Sequence, residues 1–248
     1  MGNKPRKGAA WIEPAAYLAL FLVSVFFFPS IEELLKPLVR RKAVFVQRDP
    51  LWKLAFEHLA LVVVSSGLSG TIAFGLALHL SRERYGSLRD LATSAASFLE
   101  TFPSMAIIAL LIPLTGYGFV PVAAALFLYG LLPVFRNTTE GLLSAPPELV
   151  DAALGAGMDE DQILWKLRLP LAKPMVVQGF RVSLIINISA ATLGAVVGAG
   201  GLGIPIVSGI RAFDPILMIQ GSLPVAFLAL FADAALKNVE KSNFVSAG

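Results

Sequence analysis

Residues 144–170 read SAPPELVDAALGAGMDEDQILWKLRLP, a polar stretch held between two apolar runs, Phe119–Phe135 and Met175–Val197. Ser144 followed by Pro146 and Pro147 marks a helix start, because proline is tolerated in a first turn. Leu149, Ala152, Ala153 and Ala156 then recur at three- and four-residue spacing, one small apolar face. Gly157 suits the position just past a helix end, where a positive φ is needed. Asp159 with Gln162 three residues on fits a capping box. That opens a second short helix with Ile163, Leu164 and Leu167 on one side, expected to stop before Pro170. The stretch thus predicts a helical hairpin of about residues 144–172. By shape alone it is either an amphipathic hairpin on lipid headgroups or a docking knob whose alanines and glycine admit a partner's groove.

The flanking runs decide the fold class. A bilayer helix takes about 20 mostly apolar residues. Six stretches qualify: about Trp11–Pro29, Leu59–Leu80, Leu91–Leu114, Phe119–Phe135, Met175–Val197 and Pro215–Leu236. Composition agrees. Of 248 residues 56% are hydrophobic, glycine raises the apolar share to about 64%, and only 15% are charged. The expectation is an all-α polytopic membrane protein. Ser66-x-x-x-Gly70 and Gly67-x-x-x-Thr71 have the spacing that lets membrane helices approach closely.

The same numbers exclude other classes. Seventeen phenylalanines and few charges exclude disorder. A net charge of +3, spread along the chain, offers no nucleic-acid stripe. With no cysteine there is no disulfide framework, thiolate metal site or cysteine nucleophile. His58 and His79 lie 21 residues apart in one helix, about 31 Å, too far to share a metal. Both are expected to be polar residues at the membrane interface. Gly198-x-Gly200-x-x-Gly203 matches the dinucleotide fingerprint by letter, but follows an apolar helix instead of a strand, so a break at a helix end is expected. No glycine precedes a lysine, so the chain holds no Walker A loop.

For orientation, twelve Lys and Arg fall inside and seven outside if the N-terminus lies inside, which favours that topology. The basic 36–53 segment argues the other way. Lys4, Arg6 and Lys7 before the first run resemble a secretory start. Phe26-Phe27-Phe28-Pro29 supplies no cleavage site, so an uncleaved anchor is expected. Three parts follow: an anchor with a basic external segment over 1–53, a core over 54–236, and a cytoplasmic tail over 237–248. Asn137-Thr138-Thr139 fits a glycosylation sequon but falls on the inner side, and is discounted.

Glu100 and Arg181 stand inside apolar runs, where ionisable groups are costly and usually paired or line a cavity. A Glu100–Arg181 pair is the favoured reading, with Glu100 facing a path as the other. Ser183 and Asn187 either line that path or bond neighbouring helices.

Asp151-Ala152-Ala153, three residues, Gly157, nine residues, Leu167-Arg168-Leu169-Pro170 resembles the EAA loop of binding-protein-dependent ABC transporter permeases. Asp151 stands for the usual glutamate and Leu167 for isoleucine. From about Arg48 to Leu236 the chain further resembles permeases of osmoprotectant importers. The stretches are Glu57-His58-Leu59, Thr101-Phe102-Pro103-Ser104, Tyr129-Gly130-Leu131-Leu132-Pro133, Gly179-Phe180-Arg181 and Gly198-Ala199-Gly200-Gly201-Leu202-Gly203. The resemblance implies a type I importer permease in a bacterial or archaeal plasma membrane, not an enzyme and without a cofactor of its own. It implies ATP and Mg on a separate ATPase subunit, a substrate-binding protein, and a second permease copy or related permease as partners. Asp151, Ala152, Ala153, Gly157, Leu167, Leu169 and Pro170 would contact the ATPase, and Glu100, Arg181, Ser183 and Asn187 would lie by the path. The cargo implied is glycine betaine, choline, carnitine or a related quaternary amine. Another small solute such as an amino acid, or a stand-alone secondary carrier, are the alternatives.

Overall fold

The computed structural model describes residues 11–35, 37 and 49–245, leaving aside the side chains of residues 83, 100 and 241–245. The basic 36–53 segment therefore lies mostly outside the described residues. Eleven α-helices follow one another among these: α1 (Ile12–Phe26), α2 (Phe28–Leu35), α3 (Leu51–Leu80), α4 (Gly86–Glu100), α5 (Ser104–Thr115), α6 (Phe119–Leu143), α7 (Pro147–Gly155), α8 (Glu160–Ile163), α9 (Leu169–Ala190), α10 (Gly203–Ala212) and α11 (Pro215–Val245). Four helical stretches are long and apolar enough to cross a membrane, or six if each of two bent pairs counts as one span.

The centre of the bundle is α3, α6 and α9. On α3, Leu54, His58, Leu61, Ser65, Ser69, Ala73 and Ala77 are buried at three- and four-residue spacing, a single inward face. Lipid gives no hydrophobic drive for helices to associate, so close packing must hold them. Small residues supply it: Gly130 of α6 sits where a Cβ would come within 2.6 Å of both Asn187 Nδ2 and Ser69 Oγ. Gly70 of the expected Ser66–Gly70 pair is buried under the Phe180 ring, while Gly67 and Thr71 are exposed.

Three expectations change. The third apolar run is broken: α4 and α5 meet at 98°. Pro103 is the cause, since it cannot donate to the helix ladder and forces Phe102 out of the α region. It caps α5 in extended geometry, and the Tyr129 hydroxyl of α6 donates to the freed Phe102 carbonyl. The first run likewise bends, by 81°, between α1 and α2. The second hairpin helix does not stop before Pro170. α8 runs on through a wide π turn, Leu164–Arg168, into α9. A proline clashes with the carbonyl four residues back, and a wider turn just ahead of it relieves that clash. The segment read as the tail is helical to Val245, as the end of α11.

Beyond α9 the span tightens into a 3-10 segment, Ala191–Val197, that ends on Gly198 in the left-handed region. Gly200 and Gly201 also have positive φ. The glycine run is thus a turn at a helix end, as expected, and leads into the short α10.

Candidate functional site

The hairpin is built by local rules. Pro146 is extended and Pro147 opens α7. At its end the Met158 N–H donates to the Ala153 carbonyl (3.0 Å) and the Gly157 N–H to Leu154 (2.9 Å), with Gly157 at φ +82°. Those are the paired bonds of a Schellman motif, which needs a left-handed residue where Gly157 stands. Asp159 Oδ1 then accepts from the Gln162 N–H at 2.7 Å and caps α8.

α7 buries none of its residues. Asp151, Ala152 and Gly157 are exposed and Ala153 half-buried, and no atom lies within 4 Å of the place a Gly157 Cβ would take. Leu167 and Leu169 are half-buried and Pro170 exposed, on the continuous helix that leaves the hairpin. The base is anchored instead. Leu142, Leu164 and Ala172 are buried together, with Leu78 of α3, Leu169 and Val176 packed around them. Arg82, just past α3, donates from Nη2 to Asp161 Oδ1 at 2.8 Å.

Inside the bundle, the residues expected near a path are found in two settings. Asn187 and Ser183 are buried and tie helices together: Asn187 Nδ2 donates to Ser66 Oγ (2.9 Å) and Ser183 Oγ to the Gly130 carbonyl (2.8 Å). Beside them a groove of about 410 Å³ opens between α3, α9 and α11, lined by Ser66, Gly67, Thr71, Phe180, Ser183 and Leu236 among others.

Arg181 has two partners that the sequence did not suggest. Its Nε lies 2.8 Å from Asp233 Oδ1 and its Nη1 3.4 Å from Glu240 Oε2, both carboxylates on α11. Both are within reach because α9 packs along α11, whose acids seven residues apart share one face. Glu100 closes α4 at the break, and its side chain lies outside the described residues.

His58 faces the bundle. It is fully buried, with Nε2 3.0 Å from the Ile188 carbonyl oxygen. Next to it Glu57 Oε2 accepts from the Gly201 N–H at 3.1 Å, and a Cβ on Gly200 would run into the same carboxylate. No group of three or more His, Cys, Asp or Glu suited to a metal ion occurs among the described residues. Three features had little signal in the sequence: Arg82–Asp161, Glu57–Gly201 and the α11 carboxylates. Only the seven-residue spacing of Asp233 and Glu240 pointed to a shared face.

With this geometry in view, residues 69–244 match the family described as binding-protein-dependent transport system inner membrane component. The chain belongs to that family. It is accordingly a multi-pass inner-membrane permease, a transport component whose ATP-hydrolysing partner is a separate subunit. The match begins within α3 and leaves α1 and α2 outside it. Among its relatives the permease is 37% identical over 195 residues to the osmoprotectant import permease protein OsmW of Salmonella typhimurium, covering 77% of this chain and 90% of that protein. It is 35% identical over 186 residues to the choline transport system permease protein OpuBB of Bacillus subtilis, covering 75% and 85%. The glycine betaine/carnitine/choline transport system permease protein OpuCB of the same species is 35% identical over 185 residues, covering 75% and 84%. The fold is that of the permease in an inward-facing MetNI methionine ABC transporter, with a TM-score of 0.69 at 22% identity over 79% of this chain and 99% of that one.

Proposed function

We propose that this permease serves an ATP-driven importer of osmoprotectants, small quaternary amines such as glycine betaine, choline or carnitine. The observation that carries the mechanism is α7, a helix that buries no residue and is held away from the spans on an anchored base. The cargo follows from the relatives, whose names attach osmoprotectants, choline and carnitine to permeases over most of this chain's length.

In this reading both termini and the hairpin are cytoplasmic, in keeping with the twelve-to-seven distribution of basic residues. Two permease subunits, identical or related, flank a central path. Asp151, Ala152, Ala153 and Gly157 seat in a groove of an ATPase subunit, with Leu167, Leu169 and Pro170 at the neck of the hairpin. ATP and Mg belong to that partner. Closure of the ATPase pair draws the hairpins together and turns α6 and α9, opening the path to a loaded binding protein. A partner can drive such a change only through different affinities for the two states, and the hairpin is where that difference enters the membrane. Ser183 and the groove beside it, with Arg181 and Glu100, are assigned to the path, and Asn187 to holding its wall.

The test is purification of the tagged chain in mild detergent, identification of its companions, and uptake assays with labelled glycine betaine, choline and carnitine in proteoliposomes. A co-purifying P-loop ATPase and ATP-dependent uptake of any of the three are expected. An ATPase with a binding protein that captures only amino acids would overturn the cargo. Solute uptake by the chain alone, driven by an ion gradient, would overturn the importer.

A further inference from the structure

Because α7 buries nothing, its direction is set where the hairpin meets the bundle. Two mounts do this, and both involve the end of α3. One is apolar, Leu78 against Leu142, Leu164 and Ala172. The other is Arg82 Nη2 to Asp161 Oδ1 at 2.8 Å, joining residues 79 apart in sequence. Leu78 and Arg82 are about one turn apart, so the mounts lie close together. The pair borders a recess of about 270 Å³ lined by Arg82, Arg84, Asp159, Glu160 and Asp161.

α3 itself is one uninterrupted helix of 30 residues, about 45 Å long. Its opposite end holds the glycine turn through Glu57 on the Gly201 N–H, and the end of α9 through His58 on the Ile188 carbonyl. A single rigid element thus touches the hairpin at one end and the far turn at the other.

We propose that Arg82 and Asp161 are positioning residues of the coupling step, fastening the hairpin to α3 so that its displacement moves α3 together with α6 and α9. The proposal rests on the hairpin being the ATPase contact. A partly exposed ion pair adds little to stability, so its loss leaves the fold standing. Reversing one charge, in contrast, sets like charges against each other and loosens the mount.

The experiment uses the complete importer in proteoliposomes, comparing Arg82→Asp, Asp161→Arg and the double reversal. Each single reversal lowers glycine betaine uptake per ATP hydrolysed about fivefold, a size typical of mutations that alter coupling. ATPase co-purification stays unchanged, and the double reversal recovers uptake to within about twofold. A second arm needs no cargo. Arg82→Cys with Asp161→Cys, in a chain that has no other cysteine, is joined by a short bismaleimide in the resting and the vanadate-trapped complex. Equal bridging in both states is expected of a fixed mount. Bridging lost on trapping, single reversals without effect, or a double reversal no better than the singles would each overturn the proposal. Wild-type importer that binds its ATPase but takes up none of glycine betaine, choline and carnitine refutes the cargo reading alone, and the bridging arm then decides the pair. A chain that binds no ATPase overturns the hairpin reading and this proposal with it.

Discussion

The hairpin and the Arg181 cluster are both polar insertions into an apolar chain, yet they are made in opposite ways. In the hairpin, capping bonds join residues three to five positions apart: Gln162 to Asp159, Gly157 to Leu154, Met158 to Ala153. In the cluster, Arg181 reaches acids 52 and 59 positions away. The first kind of structure has its contact surface left open, while the second consumes its charges internally. A damaged hairpin should therefore lose function with the fold intact, and a damaged cluster should lose the fold first.

Four substitutions test that contrast. Gly157→Asp has the largest effect on function. The Cβ finds open space, so the strain is confined to a left-handed aspartate, while a charge appears where a partner's groove would close. ATP-dependent uptake should fall at least about tenfold, against a local cost of about 1 kcal/mol. Normal uptake with intact expression would remove the hairpin from the coupling step. Arg181→Ala strands Asp233 and Glu240 in an apolar setting. Complete burial would cost about 3–5 kcal/mol. Side chains 22–36% exposed reduce this to about 2 kcal/mol, seen as lower yield and thermal stability in detergent, with partial recovery on adding Asp233→Asn.

Gly130→Ala comes next. Its Cβ would press on Asn187 and Ser69 at 2.6 Å, overpacking that costs about 1–3 kcal/mol; a melting temperature equal to wild type would mean the α3–α6–α9 contact is looser than described. The smallest effect belongs to Asp159→Ala. Loss of the cap costs about 1 kcal/mol, and faster amide exchange should be confined to residues 160–163. Exchange that spreads into the spans would blur the distinction between the two regions.

Part of the broken span was visible in its residues and part was not. Hydropathy alone counts Leu91–Leu114 as one crossing, because burial in lipid depends on composition and not on direction. Pro103 marks the break, but the donor that takes up the freed Phe102 carbonyl is Tyr129, 26 positions on. His58 shows the same limit. A histidine near the end of an apolar run gives no sign of the Ile188 carbonyl, 130 positions away, that it packs against.

What the residues determine by themselves is set by short-range physics. Helix caps, the left-handed Gly157 and the apolar length of each span depend on neighbours within a turn or on transfer from water to lipid, and all are legible along the chain. Family membership was legible too, since the spacing from Asp151 to Pro170 is itself local. Tertiary structure alone decided which charges meet. Arg181 meets Asp233 and Glu240 only because α9 packs along α11, and sequence could not rank those acids, 52 and 59 positions on, by distance.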